Sequence, residues 1–74
     1  MMGFPSREIV GQLKREYPTG TRVELVMMDD EWAPPTGTQG TVIGVDDAGS
    51  VMIHWDNGSS LSAVYGVDIV RKVY

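Results

Sequence analysis

The chain has 74 residues, no cysteine, 42% hydrophobic residues and a formal charge of −4 at pH 7. This length leaves room for one domain with a small core, which argues against a large enzyme that buries a cofactor. The lack of cysteine excludes disulfides, thiolate zinc sites and a thiol nucleophile. No apolar run is long enough to cross a membrane. We therefore expect one globular domain in the cytoplasm, where small domains do without disulfides.

Charge is unevenly distributed along the chain. Residues 1–22 contain four basic and two acidic side chains, and residues 69–74 contain two basic ones. Residues 23–68 contain eight acidic side chains and neither lysine nor arginine. Because lysine and arginine supply most phosphate contacts, this middle region is poorly suited to binding nucleic acid. This acidic region either binds a basic partner or is simply a solvated surface.

The first predicted element is a short helix over residues 6–17, preceded by an N-terminal tail over residues 1–5. Ser6 is a typical N-cap, and Lys14 and Arg15 lie in the last turn, where the helix dipole favours cations. Apolar residues recur on one face at the helical period. They are Ile9, Val10 and Leu13. We expect this face to pack on the rest of the domain.

Residues 20–74 have the pattern of a β-rich domain. Short runs of alternating or β-branched apolar residues are separated by turn residues. The predicted strands are 22–26, 40–45, 51–55, 59–63 and 69–73, with a long loop over 27–39. A flat sheet of this size exposes long edges, so we expect it to close. The predicted fold is mainly β: a small five-stranded SH3-like barrel with one N-terminal α-helix packed on it.

Alternation within the predicted strands identifies the barrel interior. The inward-facing residues are Val23, Leu25, Val42, Val45, Val51, Ile53 and Leu61. Trp55 continues the alternation and is predicted to be core, whereas His54, the single histidine, faces outward. Asp56-Asn57-Gly58 is the strongest hairpin signal, and we expect Asp56 to accept a hydrogen bond from its own turn.

Six stretches of the chain form one linear pattern. They are Gly20–Leu25, Met28-Asp29-Asp30, Gly37–Val42, Val45–Gly49, Trp55–Ser59 and Gly66-Val67-Asp68. This pattern, which covers most of the chain, resembles a family of small domains of unknown function carried by bacteriophages and conjugative elements, mostly of Gram-positive bacteria. The glycine–valine strand and the Trp-Asp-Asn-Gly hairpin are also similar to SH3-like domains of large eukaryotic ubiquitin ligases. The resemblance implies the fold and a mobile-element setting, and it brings no catalytic residues to this chain.

The long loop is the predicted partner-binding surface. It sets a large apolar ring beside three consecutive carboxylates, a combination that fits a basic or proline-rich protein segment. The candidate binding residues are Asp29, Asp30, Glu31, Trp32, Pro35 and Tyr65. We expect Trp32 to lie near Tyr65 and Trp55. The alternative is that Trp32 folds back and caps one end of the barrel.

Other functions rest on weaker patterns. The paired carboxylates lie in turns, and adjacent acidic side chains cannot all converge on one ion, so we predict no enzyme activity, no metal and no cofactor. One alternative is an acidic, phage-type inhibitor that presents carboxylates to a host nucleic-acid enzyme. A further alternative is weak nucleic-acid binding by a basic surface. That surface would comprise Lys14, Arg15, Arg22, Arg71 and Lys72. The sequence leaves the oligomeric state open.

Overall fold

The structure is a computed structural model that describes residues 6–73, so the predicted tail over residues 1–5 lies outside the described residues. The described chain forms one helix and one five-stranded antiparallel sheet with the order β4-β3-β2-β1-β5. The elements are α1 (Arg7–Glu16), β1 (Arg22–Met27), β2 (Gln39–Val45), β3 (Ser50–Trp55), β4 (Ala63–Val64) and β5 (Ile69–Lys72). The mainly β class with a single N-terminal helix is therefore confirmed.

The helix begins and ends where its sequence predicts. The Ser6 hydroxyl accepts a hydrogen bond from the Ile9 N–H at 3.3 Å, and the Tyr17 N–H closes the last turn on the Leu13 carbonyl at 2.8 Å. Val10 and Leu13 are buried against the sheet. A glycine in the middle of so short a helix lowers its intrinsic stability, so α1 depends on this packing.

The core lies between the helix and one face of the sheet. Its buried members are Val10, Leu13, Val23, Leu25, Val42, Val45, Val51, Ile53, Trp55 and Ala63. The Trp55 ring has no solvent exposure, and its indole N–H donates to the Leu61 carbonyl at 2.8 Å. The inward prediction is thus confirmed for six of its seven residues and for Trp55. Leu61 is instead only half-buried.

The fourth predicted strand, over residues 59–63, is shorter and later than expected. The observed strand is β4, Ala63–Val64. Residues 59–62 are held against Trp55 by two hydrogen bonds, from its backbone N–H to the Ser59 carbonyl and from its indole to the Leu61 carbonyl. Hydrogen bonds from one buried residue, Trp55, replace a strand ladder there, and a strand-propensity pattern does not reveal such contacts.

The sheet does not close, contrary to the closed barrel predicted from the sequence. Closure would need backbone pairing between β4 and β5, and β4 has no such groups to offer. The Val64 N–H already donates to the Asp68 carboxylate at 2.9 Å, and the Val64 carbonyl accepts from the N–H groups of Val67 and Asp68. The turn between β4 and β5 therefore occupies the backbone groups of Val64 that a closed barrel would pair with β5.

The side chain that accepts a hydrogen bond within the turn after β3 is that of Asn57, not that of Asp56 as expected. The Asn57 side chain accepts from the Ser59 N–H at 3.1 Å, while the Asp56 carboxylate binds the Arg22 guanidinium. His54 is exposed on the outer face, as predicted.

Gly40 marks a close approach of two strands in the core. A Cβ atom added at this position would lie 2.7 Å from Ile53 Cγ2 and 2.9 Å from both the His54 carbonyl oxygen and Trp55 Cε3. Such distances are shorter than van der Waals contact, and one of the neighbours is rigid backbone. The close packing of β2 on β3 therefore requires glycine here.

We predict that Gly40→Ala lowers the free energy of unfolding by about 1–3 kcal/mol, because the methyl group overpacks the core. Urea unfolding measures this change. Gly11→Ala is the control, since its methyl group would meet only the Arg15 guanidinium at 3.5 Å and alanine favours a helix over glycine by about 1 kcal/mol. Opposite signs are expected for the two variants. A Gly40→Ala protein as stable as the parent would contradict the described packing.

Candidate functional site

An apolar groove of about 440 Å³ follows the gap between β4 and β5. Five of the eight exposed large hydrophobic side chains among residues 6–73 line it. They are Met27, Val64, Tyr65, Val67 and Ile69, each between 39% and 49% exposed. Concentrated apolar exposure of this kind on a small domain is typical of an interaction site. The groove is therefore the candidate functional site.

The groove is a consequence of the unclosed sheet. Its floor includes Leu13 from the helix and Val51 and Ala63 from the sheet, all of which belong to the core. Its rim is the turn between β4 and β5, where Gly66 adopts φ +81°. A closed barrel would cover these side chains with strand pairing. Here they are left half-exposed.

Asp68 fixes the rim of the groove to the loop that follows β1. One carboxylate oxygen accepts from the Asp29 N–H at 3.0 Å, and the other accepts from the Val64 N–H at 2.9 Å. The loop, residues 28–38 (hereafter the acidic loop), therefore starts at the edge of the groove. Hydrogen bonds to an ionised carboxylate are stronger than neutral ones, so this link is worth more than an ordinary turn bond.

The acidic loop has a defined conformation of its own. The Asp30 carboxylate accepts from the Trp32 N–H at 2.8 Å, and Thr38 donates to the Pro35 carbonyl through both its N–H and its hydroxyl. Pro34 is buried, whereas Glu31 is exposed. Local hydrogen bonds of this type help to hold a loop in shape.

The three aromatic residues predicted to be neighbours differ in burial. Trp55 is fully buried, Tyr65 lies in the groove, and Trp32 is 76% exposed in the acidic loop. Trp32 is thus exposed rather than folded back as a cap on the core. Of the predicted binding residues, the structure brings Asp29 to the groove that Tyr65 lines, through its bond to Asp68. Trp32 is not among the residues that line the groove.

Val67 and Ile69 are groove residues that the sequence interpretation missed. Val67 lies between the fourth and fifth predicted strands and Ile69 begins the fifth, and exposed apolar residues are common in both settings. The available signal was the composition of residues 63–70, where six of eight residues are alanine, valine, isoleucine or tyrosine. That is too apolar for a turn that only connects two strands.

The five residues of the predicted basic surface have different neighbours. Arg22 donates to Asp56 and also to Thr41 and Gln39, and Arg71 pairs with Glu24 at 3.1 Å. The Lys72 ammonium lies 5.4 Å from the centroid of the Tyr17 ring. Lys14 lies 4.0 Å from Asp47, and Arg15 is exposed in the last turn of α1. Because Arg71 and Lys72 are adjacent in β5, their side chains leave opposite faces of the sheet.

The Arg22–Asp56 pair is bidentate, with nitrogen–oxygen distances of 2.9 and 2.6 Å. Hydrogen bonding to Arg22 lowers the pKa of Asp56 below its ordinary value, and the same bonds raise the pKa of Arg22. The pair joins the start of β1 to the hairpin after β3, on the outer face of the sheet and away from the groove. It therefore cross-links two strands of the sheet.

Two further observations bear on chemistry and location. Within residues 6–73, no three histidine, cysteine or acidic side chains are grouped so that they could hold a metal ion. In the same part of the chain, the single helix has neither the length nor the apolar character to cross a membrane.

The Arg22–Asp56 pair predicts a pH dependence. A carboxyl group whose pKa is lower in the folded state stabilises the fold above its unfolded pKa of about 3.9, and this contribution is lost as the pH falls through the folded value. We therefore expect the stability difference between the parent and Asp56→Asn to shrink between about pH 5 and pH 2. Thermal unfolding across this range measures it. A stability difference that stays constant with pH would contradict the assignment. In an Arg22→Gln background, replacing Asp56 with asparagine should change the stability little at any pH.

Asp68 and Asp46 give a matched test of the link between the rim and the acidic loop. The Asp46 carboxylate accepts two N–H hydrogen bonds, both on the oxygen Oδ1, which asparagine also has. The Asp68 carboxylate accepts one hydrogen bond on each of its two oxygens. Asp68→Asn should therefore lose one bond and about 1–2 kcal/mol of unfolding free energy, with faster amide exchange at Asp29 or Val64. Asp46→Asn should change little. Equal effects of the two variants would argue against the described link.

One comparison with known proteins gave a match. A family model described as "Domain of unknown function (DUF4314)" matches residues 6–73. No curated protein and no solved structure matches the chain. Because the family model spans nearly the whole sequence, from the N-cap of the helix to the end of the last strand, the chain belongs to the DUF4314 family.

Proposed function

We propose that the protein is a non-enzymatic interaction module that binds an extended, apolar segment of a partner protein in the groove. The acidic loop attracts basic residues of the same segment. The observation that carries this proposal is the concentration of half-exposed apolar side chains along one groove of about 440 Å³. The loop identified from the sequence supplies the charged part of the surface, and the groove supplies the apolar part.

The shape of the groove supports a peptide rather than a small molecule or a flat protein face. It is open along the gap in the sheet, and both its rim and its floor are largely apolar. The affinity of such a surface comes from a few apolar anchors that enter a preformed depression. An extended segment places every second side chain on one side, so two or three anchors can reach the groove.

The charge of the acidic loop supports a basic flank on the partner. Asp29, Asp30 and Glu31 are all exposed, and the loop that carries them starts at the rim of the groove. Carboxylates in this position steer a lysine- or arginine-bearing segment and increase its association rate. Trp32, exposed in the same loop, offers a ring for an apolar or cationic side chain.

The proposal also covers the relationship of this fold to SH3-like barrels and the cellular setting of the protein. We treat the sheet as a partly open relative of the SH3-like barrels, in which the long loop after β1 borders a peptide groove. The setting is the bacterial cytoplasm, on a phage or conjugative element. Support for a reducing compartment comes from the absence of cysteine in a chain of this size. Neighbouring genes for replication, packaging or defence would identify the process that the module serves.

A peptide array tests the proposed function. The probes are synthetic peptides of about ten residues that vary in apolar content and in net charge, followed by titration of the best binders. Ile69→Ser should weaken binding about tenfold, because it removes an apolar contact in the groove. Ile43→Ser is the matched control, since Ile43 is as exposed as Ile69 but lies outside the groove. Its affinity should equal that of the parent.

Trp32→Ala completes this test. It should weaken the binding of lysine-containing peptides while the melting temperature stays nearly unchanged, because the ring is exposed. Equal effects of Ile69→Ser and Ile43→Ser, or the absence of any peptide that binds, would overturn the proposed function.

A further inference from the structure

The outer edge of β5 carries unpaired backbone groups. In the sheet formed by the described residues, β5 is an edge strand whose single partner is β1. Val23 lies opposite Lys72, and Leu25 lies opposite Val70. The Val73 N–H donates to the Arg22 carbonyl at 2.9 Å, which makes Arg22 and Val73 a hydrogen-bonded pair.

The alternation of an antiparallel ladder then fixes the direction of the backbone groups from Val70 to Lys72. Hydrogen-bonded and non-hydrogen-bonded pairs alternate, so the next bonded pair is Glu24 with Arg71. Val70 and Lys72 fall on the non-bonded positions. Their N–H and C=O groups therefore point away from β1, and Val70 also lines the groove.

The opposite side of the groove offers no such edge. The outward groups of Val64 in β4 are occupied by the Asp68 carboxylate and by the N–H groups of the turn. Of the two strands that border the groove, β5 alone therefore offers free outward backbone groups to an extended chain. Exposed strand edges of this kind are a common docking site for extended segments.

We propose that the partner segment adds to the outer edge of β5 as an antiparallel strand, paired with the backbone of Val70 and Lys72. This inference rests on the proposed function and specifies its binding mode. Alternate side chains of the added strand enter the groove beside Val70. The added strand covers the apolar rim and fills part of the gap that the described sheet leaves open.

Charge sets the direction of the added strand. The Ile69 end of β5 follows directly on Asp68, which is bonded to the start of the acidic loop, and Lys72 lies at the other end. A complementary segment places lysine or arginine near the acidic loop and glutamate or aspartate near Lys72. In an antiparallel arrangement, the acidic residues come first in the segment and the basic residues come last.

Two designed peptides test this order. Each has about ten residues, with valine or isoleucine at alternate positions. One begins with two glutamates and ends with two lysines, and the other has the reverse charge order. The glutamate-first peptide should bind about tenfold more tightly at low salt, and added salt should reduce the difference. Equal affinities, or a preference for the lysine-first peptide, would overturn the proposed orientation.

Backbone methylation tests strand addition itself. Methylating the amide nitrogens of the peptide that face Val70 and Lys72 should abolish binding, and methylating the intervening nitrogens should have little effect. Such an alternation arises only if the peptide forms a strand ladder. Binding that depends on Ile69 but is insensitive to methylation at every position would overturn strand addition and leave the proposed function standing.

Two matched variants of the protein at Lys72 test the same strand pairing. Lys72→Pro removes an outward N–H that β1 does not use, which an edge strand tolerates, and Lys72→Ala keeps that N–H. The proline variant should bind the glutamate-first peptide at least tenfold more weakly than the alanine variant, with circular dichroism confirming that both are folded. Equal binding by the two folded variants would overturn the proposal.

A parent protein that binds no peptide but forms a dimer disrupted by Ile69→Ser would overturn both proposals and identify a second copy as the occupant.

Discussion

The account depends on the two hydrogen bonds that the Asp68 carboxylate accepts. One occupies the outward N–H of β4, and the other holds the first part of the acidic loop at the rim of the groove. With its N–H taken in this way and its carbonyl taken by the turn, Val64 cannot pair with β5, so the sheet stays open and apolar side chains remain at the gap. The same carboxylate therefore determines where the groove lies, what charge borders it and which strand edge is left unpaired.

An open sheet is costly for so small a domain, since every exposed apolar side chain is lost from a limited core. The rest of the chain offsets this cost locally. The indole of Trp55 is fully buried and hydrogen-bonded, Gly40 allows β2 to approach β3 closely, and the helix covers the inner face of the sheet. Leu13, Val51 and Ala63 of this core also line the groove, so a partner segment would meet a preformed surface.

Sequence patterns predicted the features that depend on local periodicity. The Ser6 cap, the strands β1, β2, β3 and β5, and the burial of Trp55 all follow from spacing and residue type. The patterns failed where a single side-chain hydrogen bond decides the structure. The bond from Trp55 to the Leu61 carbonyl shortens the fourth strand, and the bonds of Asp68 prevent closure. Neither contact has a periodic signature, so the groove was not predicted, although the acidic loop beside it was.

Amide hydrogen exchange at β5 tests the central claim most directly, since it reports on the edge that the open sheet leaves unpaired. In the protein alone, the amides of Val70 and Lys72 should exchange rapidly, because they face away from β1. Saturation with the glutamate-first peptide should slow both by at least tenfold, while the amide of Arg71, already bonded to β1, changes little. Unchanged exchange at Val70 and Lys72 in a saturated complex would contradict the account.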